Sequence, residues 1–251
     1  MKLHVLATGT SRGQDLSRFQ RDPHFRKATR NMMMGYAALE PVLQNFPKLN
    51  TASFVFGSSF GELQTTQDFL STLANQGIAR PLLFQNSLHN ATLGFLALKL
   101  GVPGPSVTTS HRHFTGESCL ELASILIDAG SPLCIALAVD TRVAALESGI
   151  IETYPAEVKM DEGAAALLLA NEATVRELGV NSLAIIDSVD RHMQGEEHVS
   201  GSYYDSNALE HVIEAIEASN SHGDLRLNKP DGSFSIIRLS KKTEMTQVNL
   251  K

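Results

Sequence analysis

Apolar residues along the chain fall into two rhythms, short continuous runs and stripes of helical period, and they alternate. Residues 2–7 read as a first strand that ends in Thr8-Gly9-Thr10. Residues 11–30 are polar and charged and predict a loop or solvent-facing surface. Over 31–46, Met32, Met33, Tyr36, Ala37, Leu39 and Leu43 recur at roughly helical spacing. Met34 widens the stripe, so the spacing predicts a largely buried helix, with Pro47 after its end. Residues 52–56 form a short strand that runs into Gly57-Ser58-Ser59-Phe60-Gly61 and then a helix from 62 to about 75. Next come a helix over 88–100, a short strand, a sharp turn, a helix over 117–129 and a buried strand over 133–139.

Farther on, 141–151 predicts a short helix, and Pro155 marks a connection. Residues 164–170 and 183–189 read as two more strands. Residues 190–206 mix Gly, His and acids without a period and read as loop. Leu209, Val212, Ile213 and Ile216 put a stripe on a helix over 207–218. The chain then predicts a hairpin, 224–228 with 233–239, around Lys229-Pro230-Asp231-Gly232, and a frayed polar tail after Ser240. With no repeat or linker, 1–251 reads as one domain of the α/β class.

Composition narrows the function classes. A chain of 251 residues, 43% hydrophobic, can bury a full core. Only 19% of residues are charged, which suits a fold with much of its surface covered, for instance by another subunit. The net charge of −6 argues against nucleic acid or an anionic membrane as partner. No window reaches the ~18–20 apolar residues of a membrane span, and the first run is too short for a signal-peptide core. The expectation is a soluble cytoplasmic protein. Cys119 and Cys134 both fall in apolar elements and are expected to be reduced and buried. Without metal spacing or a nucleotide motif, no cofactor is expected.

Three stretches could carry chemistry. Gly57 to Gly61 matches G-x-S-x-G between a strand and a helix, which would make Ser59 a hydrolase nucleophile. Asp187 or Asp190 followed by His192, His198, His211 or His222 could complete a triad, and nothing singles one out. The same five residues equally make a tight glycine turn. His111 and His113 could place two imidazoles on one side of an extended segment, around a metal. Arg112 between them repels a cation, and no acidic or cysteine ligand lies near. The polar stretch from Asp190-Arg191-His192 to Glu197-His198 reads better as loop than as a site.

A family resemblance gathers several of these pieces. Pro81-Leu82-Leu83-Phe84-Gln85-Asn86-Ser87-Leu88-His89-Asn90-Ala91-Thr92-Leu93-Gly94 resembles a segment of the β-ketoacyl-ACP synthases. Leu100-Gly101-Val102-Pro103-Gly104-Pro105 is similar to that family's Y/L-G-x-x-G-P, and the strand and turn after it to T-A-C-[AST]-[SG]-G. Asp161-Glu162-Gly163-Ala164-Ala165-Ala166-Leu167-Leu168-Leu169 resembles G-E-G-A-x-x-L-V-L. The pieces lie in the family's order and spacing, and they cover its N-terminal half, from the first strand to about Asp190. The resemblance implies a thiolase-like α/β fold: a mixed sheet with helices on both faces, plus a C-terminal helix and β-hairpin. Residues 191–251 would then replace the missing C-terminal half. It also implies a glycine-rich turn at Gly57–Gly61.

The departures matter as much. Counted from Gly104-Pro105 to Gly116 without a gap, the family's nucleophilic Cys falls on His113. A thiolate there would carry the acyl chain, its pKa lowered by a helix N-terminus, with backbone N–H groups holding the oxyanion. Imidazole forms only labile acyl derivatives, and Cys119 lies almost two turns into the helix. The family's H-G-T-x-T, K-x-x-x-G-H and F-G-F-G-G patterns are absent; Ser221-His222-Gly223-Asp224 shares two letters with the first.

The resemblance therefore implies a chain-length-factor-like subunit, non-catalytic alone, that heterodimerises with an active β-ketoacyl-ACP synthase served by acyl carrier protein. Leu83, Leu88, Ala91, Thr92 and Phe95 would line the acyl tunnel at the interface, in polyene (aryl polyene among them), polyketide or fatty acid biosynthesis. One alternative keeps His113 as an acid–base group in malonyl thioester decarboxylation or acyl thioester hydrolysis. Another is the serine hydrolase built on Ser59.

Overall fold

The computed structural model describes residues 2–14, 16–144, 146, 158–159, 161–193, 201–202, 207–218 and 222–240. Its framework is an eight-stranded mixed sheet. In chain order the strands are β1 (Leu3–Ser11), β2 (Ala52–Gly57), β3 (Ser106–Thr109), β4 (Leu133–Asp140), β6 (Gly163–Ala170), β7 (Ala184–His192), β9 (Gly223–Asn228) and β10 (Phe234–Ser240). Two short segments, β5 (Val158–Lys159) and β8 (Gly201–Ser202), pair in parallel as a separate ribbon. The large sheet runs β3-β2-β4-β6-β1-β7-β10-β9. β2 is parallel to β3 and β4, and the neighbours from β4 onward are antiparallel.

The continuous apolar runs are explained by helices on both faces, since such strands have no solvent side. On one face Phe54, Phe56, Ile135, Leu137 and Leu168 meet Leu39 and Val42 of helix α2 (Arg30–Asn45) and Leu96 of α5 (Ala91–Leu100). On the other, Val55, Ala136, Leu167 and Leu169 meet Leu120 and Ala123 of α6 (Thr115–Asp128). Leu209 and Val212 of the C-terminal helix Asn207–Glu217 complete that layer. Successive residues of one strand thus serve opposite cores.

Several sequence expectations need adjusting. Residues 11–30 are not plain loop: helix α1 (Ser17–Gln20) and a 3-10 turn (Pro23–Phe25) bury Leu16, Phe19 and Phe25. Phe25 packs 5.0 Å from the Tyr36 ring and 5.7 Å from Phe95, and the Lys99 ammonium sits 4.1 Å above it. These apolar residues have no period, so spacing could not reveal them. The predicted helix over 88–100 starts only at Ala91; before it lie α3 (Leu63–Gln76) and a separate α4 (Pro81–Asn86), and Leu88 sits in the turn between α4 and α5. A helix that the hydrophobic pattern passes over, α7 (Glu172–Leu178), is capped by Asn171, whose side chain accepts from Thr174 N at 2.8 Å. The C-terminal helix, α8, and the hairpin fall where expected, while the supposed loop from Asp190 begins as the end of β7. Most of the helix expected over 141–151, the Glu197-His198 pair and the tail after Ser240 lie outside the described residues.

The hairpin β9–β10 is fastened to the body by a buried ion pair. Lys229 Nζ stands 2.8 Å from Glu117 Oε1 on α6, with the two side chains 2% and 0% exposed. Ser235 Oγ donates to the same oxygen at 2.5 Å. At the same end of α6, close packing requires a glycine. A Cβ on Gly57 would lie 2.4 Å from Cys119 Sγ and 2.9 Å from Thr115 Cγ2.

Two stability measurements check this framework. Gly57→Ala is expected to cost about 1–3 kcal/mol in denaturant unfolding, and Cys119→Ala in the same chain to recover part of it. Lys229→Met alone strands a buried carboxylate and should cost about 3–5 kcal/mol. Lys229→Met with Glu117→Leu should return most of that loss, because an apolar pair of similar volume replaces a desolvated one.

Candidate functional site

The parallel strands β2, β3 and β4 end side by side, and the turns that follow them form one cluster, the usual place for a site in such sheets. Asp140, at the end of β4 and 1% exposed, organises it. Its Oδ1 accepts from Ser58 Oγ at 2.7 Å, Ser59 N at 2.9 Å and Phe60 N at 3.3 Å. Ser58 Oγ in turn accepts from Gly61 N at 2.7 Å, which closes the turn.

The G-x-S-x-G stretch is therefore a turn clamped on a carboxylate. The Ser59 hydroxyl donates to the Arg112 carbonyl at 3.2 Å, and a carbonyl takes no proton from it. Of the histidines considered as its base, His192 stacks on Phe234 at 4.4 Å and His211 pairs with Glu214 at 2.8 Å on α8.

The second turn carries His113. β3 ends at Thr109, and the chain passes through Arg112, whose φ of +46° is the one positive value at a non-glycine among the described residues. A 3-10 turn, Arg112–Phe114, leads into α6. Thr115 Oγ1 fixes the corner, accepting from His111 N at 2.9 Å and donating to Arg112 O at 2.8 Å.

His113 is buried at the start of α6. Burial lowers its pKa, the Asp231 and Glu117 carboxylates oppose that, and Lys229 and Arg112 reinforce it. The net direction is down, so the imidazole is neutral at neutral pH. Its neighbour His111 serves another group: His111 Nδ1 lies 3.0 Å from Ser118 Oγ and 2.6 Å from Arg191 Nη1. A guanidinium at that nitrogen opposes a bound cation, and no metal-holding group of three His, Cys, Asp or Glu occurs among the described residues. Cys119 is fully buried against Gly57, and burial pushes the Cys134 thiol up to about 11.

The five tunnel candidates separate. Leu88 is exposed and Ala91 half-buried beside the uncovered face of α3, α4 and α5. That face also shows Leu70, Leu73, Leu82, Phe84 and Leu98, the last 87% exposed. Leu83 is half-buried and lines a cavity of about 370 Å³ between the start of α2, α3 and α4. Thr92 is fully buried and donates to Glu62 Oε1 at 2.5 Å, while Phe95 leans on Phe25.

Glu62 itself escaped the sequence reading. Its Oε1 also accepts from Thr29 Oγ1 at 2.6 Å, and its Oε2 from Thr65 Oγ1 at 3.0 Å. Burial raises its pKa, and the three hydroxyls counteract that. The available signal was an acid directly after Gly61, where a helix was expected to start.

Among known proteins, the family described as Beta-ketoacyl synthase, N-terminal domain, matches residues 27–229. No curated protein matches the sequence. Solved structures share the fold at low identity. The ishigamide ketosynthase/chain length factor superposes with a TM-score of 0.78 at 12% identity, covering 95% of this chain and 99% of that one. A type II PKS ketosynthase bound to a hexaketide, solved with its acyl-carrier protein, gives 0.76 at 13% identity over 95% and 99%. The ketosynthase ApeO in complex with its chain length factor ApeC, from Xenorhabdus doucetiae, gives 0.64 at 15% identity over 95% and 100%. The mixed sheet covered by helices on both faces is the thiolase-like ketosynthase architecture, and the chain belongs to the β-ketoacyl synthase family, matched across its N-terminal domain.

Proposed function

We propose that this chain is a chain-length-factor-like subunit, without condensing activity of its own, that pairs with an active β-ketoacyl synthase and shapes the acyl tunnel between them. The observation that carries the reading is the combination of a filled nucleophile place and an uncovered apolar face. His113 occupies the position of the family's thiol, buried and neutral. Leu70, Leu73, Leu82, Phe84, Leu88 and Leu98 stand exposed on α3–α5, beside β3, an edge strand of four residues. Apolar area on that scale calls for a partner. Two solved structures matched over nearly their whole length, a ketosynthase/chain length factor and a ketosynthase with its chain length factor, support the same assignment.

In this reading, 1–251 is one domain, and α8 with the hairpin takes the place of the family's C-terminal half. Leu83, Leu88, Ala91, Thr92 and Phe95 border the tunnel, directly or through the helix that carries them. A bulky side chain at its end stops elongation by steric clash. The pair works in the cytoplasm on chains held by acyl carrier protein, in polyene, polyketide or fatty acid biosynthesis. No described helix is long and apolar enough to cross a membrane.

A second reading has one observation in its favour, the neutral His113 imidazole beside the Asp231 carboxylate. It would accept or donate a proton during malonyl thioester decarboxylation or acyl thioester hydrolysis.

Co-expression with the ketosynthase encoded beside it should give a complex that co-elutes in size-exclusion chromatography. Leu98→Asp should leave the chain folded and weaken the pair by about 2 kcal/mol, roughly thirtyfold. A chain that stays monomeric beside every neighbouring ketosynthase would refute the assignment. For the second reading, CO2 release from malonyl-ACP by the isolated chain should fall to background with His113→Ala; equal rates remove it.

A further inference from the structure

The cavity of about 370 Å³ lies within the size range of small-ligand sites, ~300–1,000 Å³. Leu82 belongs both to its lining and to the uncovered face, so the cavity opens beside the surface assigned above to the partner. Its composition is unlike a hydrocarbon tunnel. Ala28, Leu82 and Leu83 supply an apolar wall, whereas the floor is polar, with Glu62 and Thr141.

The hydrogen-bond inventory of that floor is acceptor-rich. An ionised carboxylate has about four lone-pair sites. Thr29, Thr92 and Thr65 fill three of those on Glu62, two at Oε1 and one at Oε2, which leaves a site on Oε2. Thr141 spends its proton on Asn31 Oδ1 at 2.7 Å, so its oxygen can only accept from a ligand. The floor therefore asks for a donor.

Charge narrows the kind of donor. Arg26, Lys27 and Arg30 outnumber the one exposed carboxylate of the lining, Asp68, so an ammonium group would have to pass a net positive rim. An anion that passed it would meet the Glu62 carboxyl. A neutral hydroxyl on an apolar stem satisfies the wall, the floor and the rim together.

We propose that this cavity receives the far end of the acyl chain, and that this end carries a hydroxyl group which donates to Glu62. The inference rests on the chain-length-factor reading and adds a substrate class to it: chains begun from a hydroxylated starter rather than a methyl-ended one. Leu83 sets the width of the entrance, and Thr65 and Thr92 hold the acceptor in place.

The cavity exists in the chain alone, so its test needs no partner. The probes are 6-hydroxyhexanoyl and heptanoyl N-acetylcysteamine thioesters, matched in length, titrated into the isolated protein and followed by protein NMR. The hydroxylated thioester should bind at least about tenfold more tightly, as a hydrogen bond to a charged group provides. Glu62→Gln should remove that preference, bringing the ratio of the two affinities to about one. Leu83→Trp, on a half-exposed position, should abolish binding of both. Equal affinities, no binding of the hydroxylated probe, or binding that survives Leu83→Trp overturns the proposal. A chain that binds the probe yet pairs with no ketosynthase would sink the functional reading and leave the cavity's preference standing.

Discussion

The turn from Ser58 to Glu62 is held from both sides, and most of what is distinctive in this chain depends on that grip. From one side the Asp140 carboxylate takes a hydroxyl and two backbone N–H groups. From the other, Asn31 of α2 donates to Gly61 O and is itself held by Thr141, the residue after Asp140. Hydrogen bonds to a buried charge contribute about 1.5–3 kcal/mol each, more than neutral ones. The clamp thus fixes three things at once: the Arg112 carbonyl that meets Ser59, the seat of α2 and the position of Glu62 beneath α5. A local change at Asp140 would reach His113 and the cavity by separate routes.

How much of this could be read beforehand follows from the kind of force involved. The central strands were legible because burial on two faces leaves no polar residue in them, as in Leu133 to Val139 and Ala164 to Ala170. The hairpin was legible because Lys229-Pro230-Asp231-Gly232 leaves the backbone few other options, with φ of +79° at Gly232. His113 was singled out by counting along a strand–turn–helix, where each residue has a fixed seat. What stayed hidden depends on contacts between distant residues. Phe19 and Phe25 become core only because Tyr36 and Phe95 stand opposite them. Glu62 becomes a hub only because Thr29 and Thr92, 33 and 30 residues away, join the local Thr65 on its carboxylate. Thr92 belongs to that hub as well as to the helix proposed to border the tunnel.

The C-terminal segment closes one side of the large sheet. β10 pairs with β7 along its length and β9 covers β10, so the sheet ends in a twisted hairpin rather than on a raw central strand. Arg238 and Asp224 pair across the hairpin, and the Arg226 guanidinium lies 4.0 Å from the Phe234 ring, putting charge on this outer edge. The same hairpin brings Lys229 against Glu117 and Asp231 close enough to act on His113. Anchorage of the edge and the electrostatics of His113 are thereby one piece of structure.

Helix α3 has no buried residue along its fourteen positions, although it sits between the clamp and the uncovered face. A helix of that length draws most of its stability from tertiary cover, and without cover it opens at little cost in free energy. The chain on its own therefore displays a segment that proteases reach first.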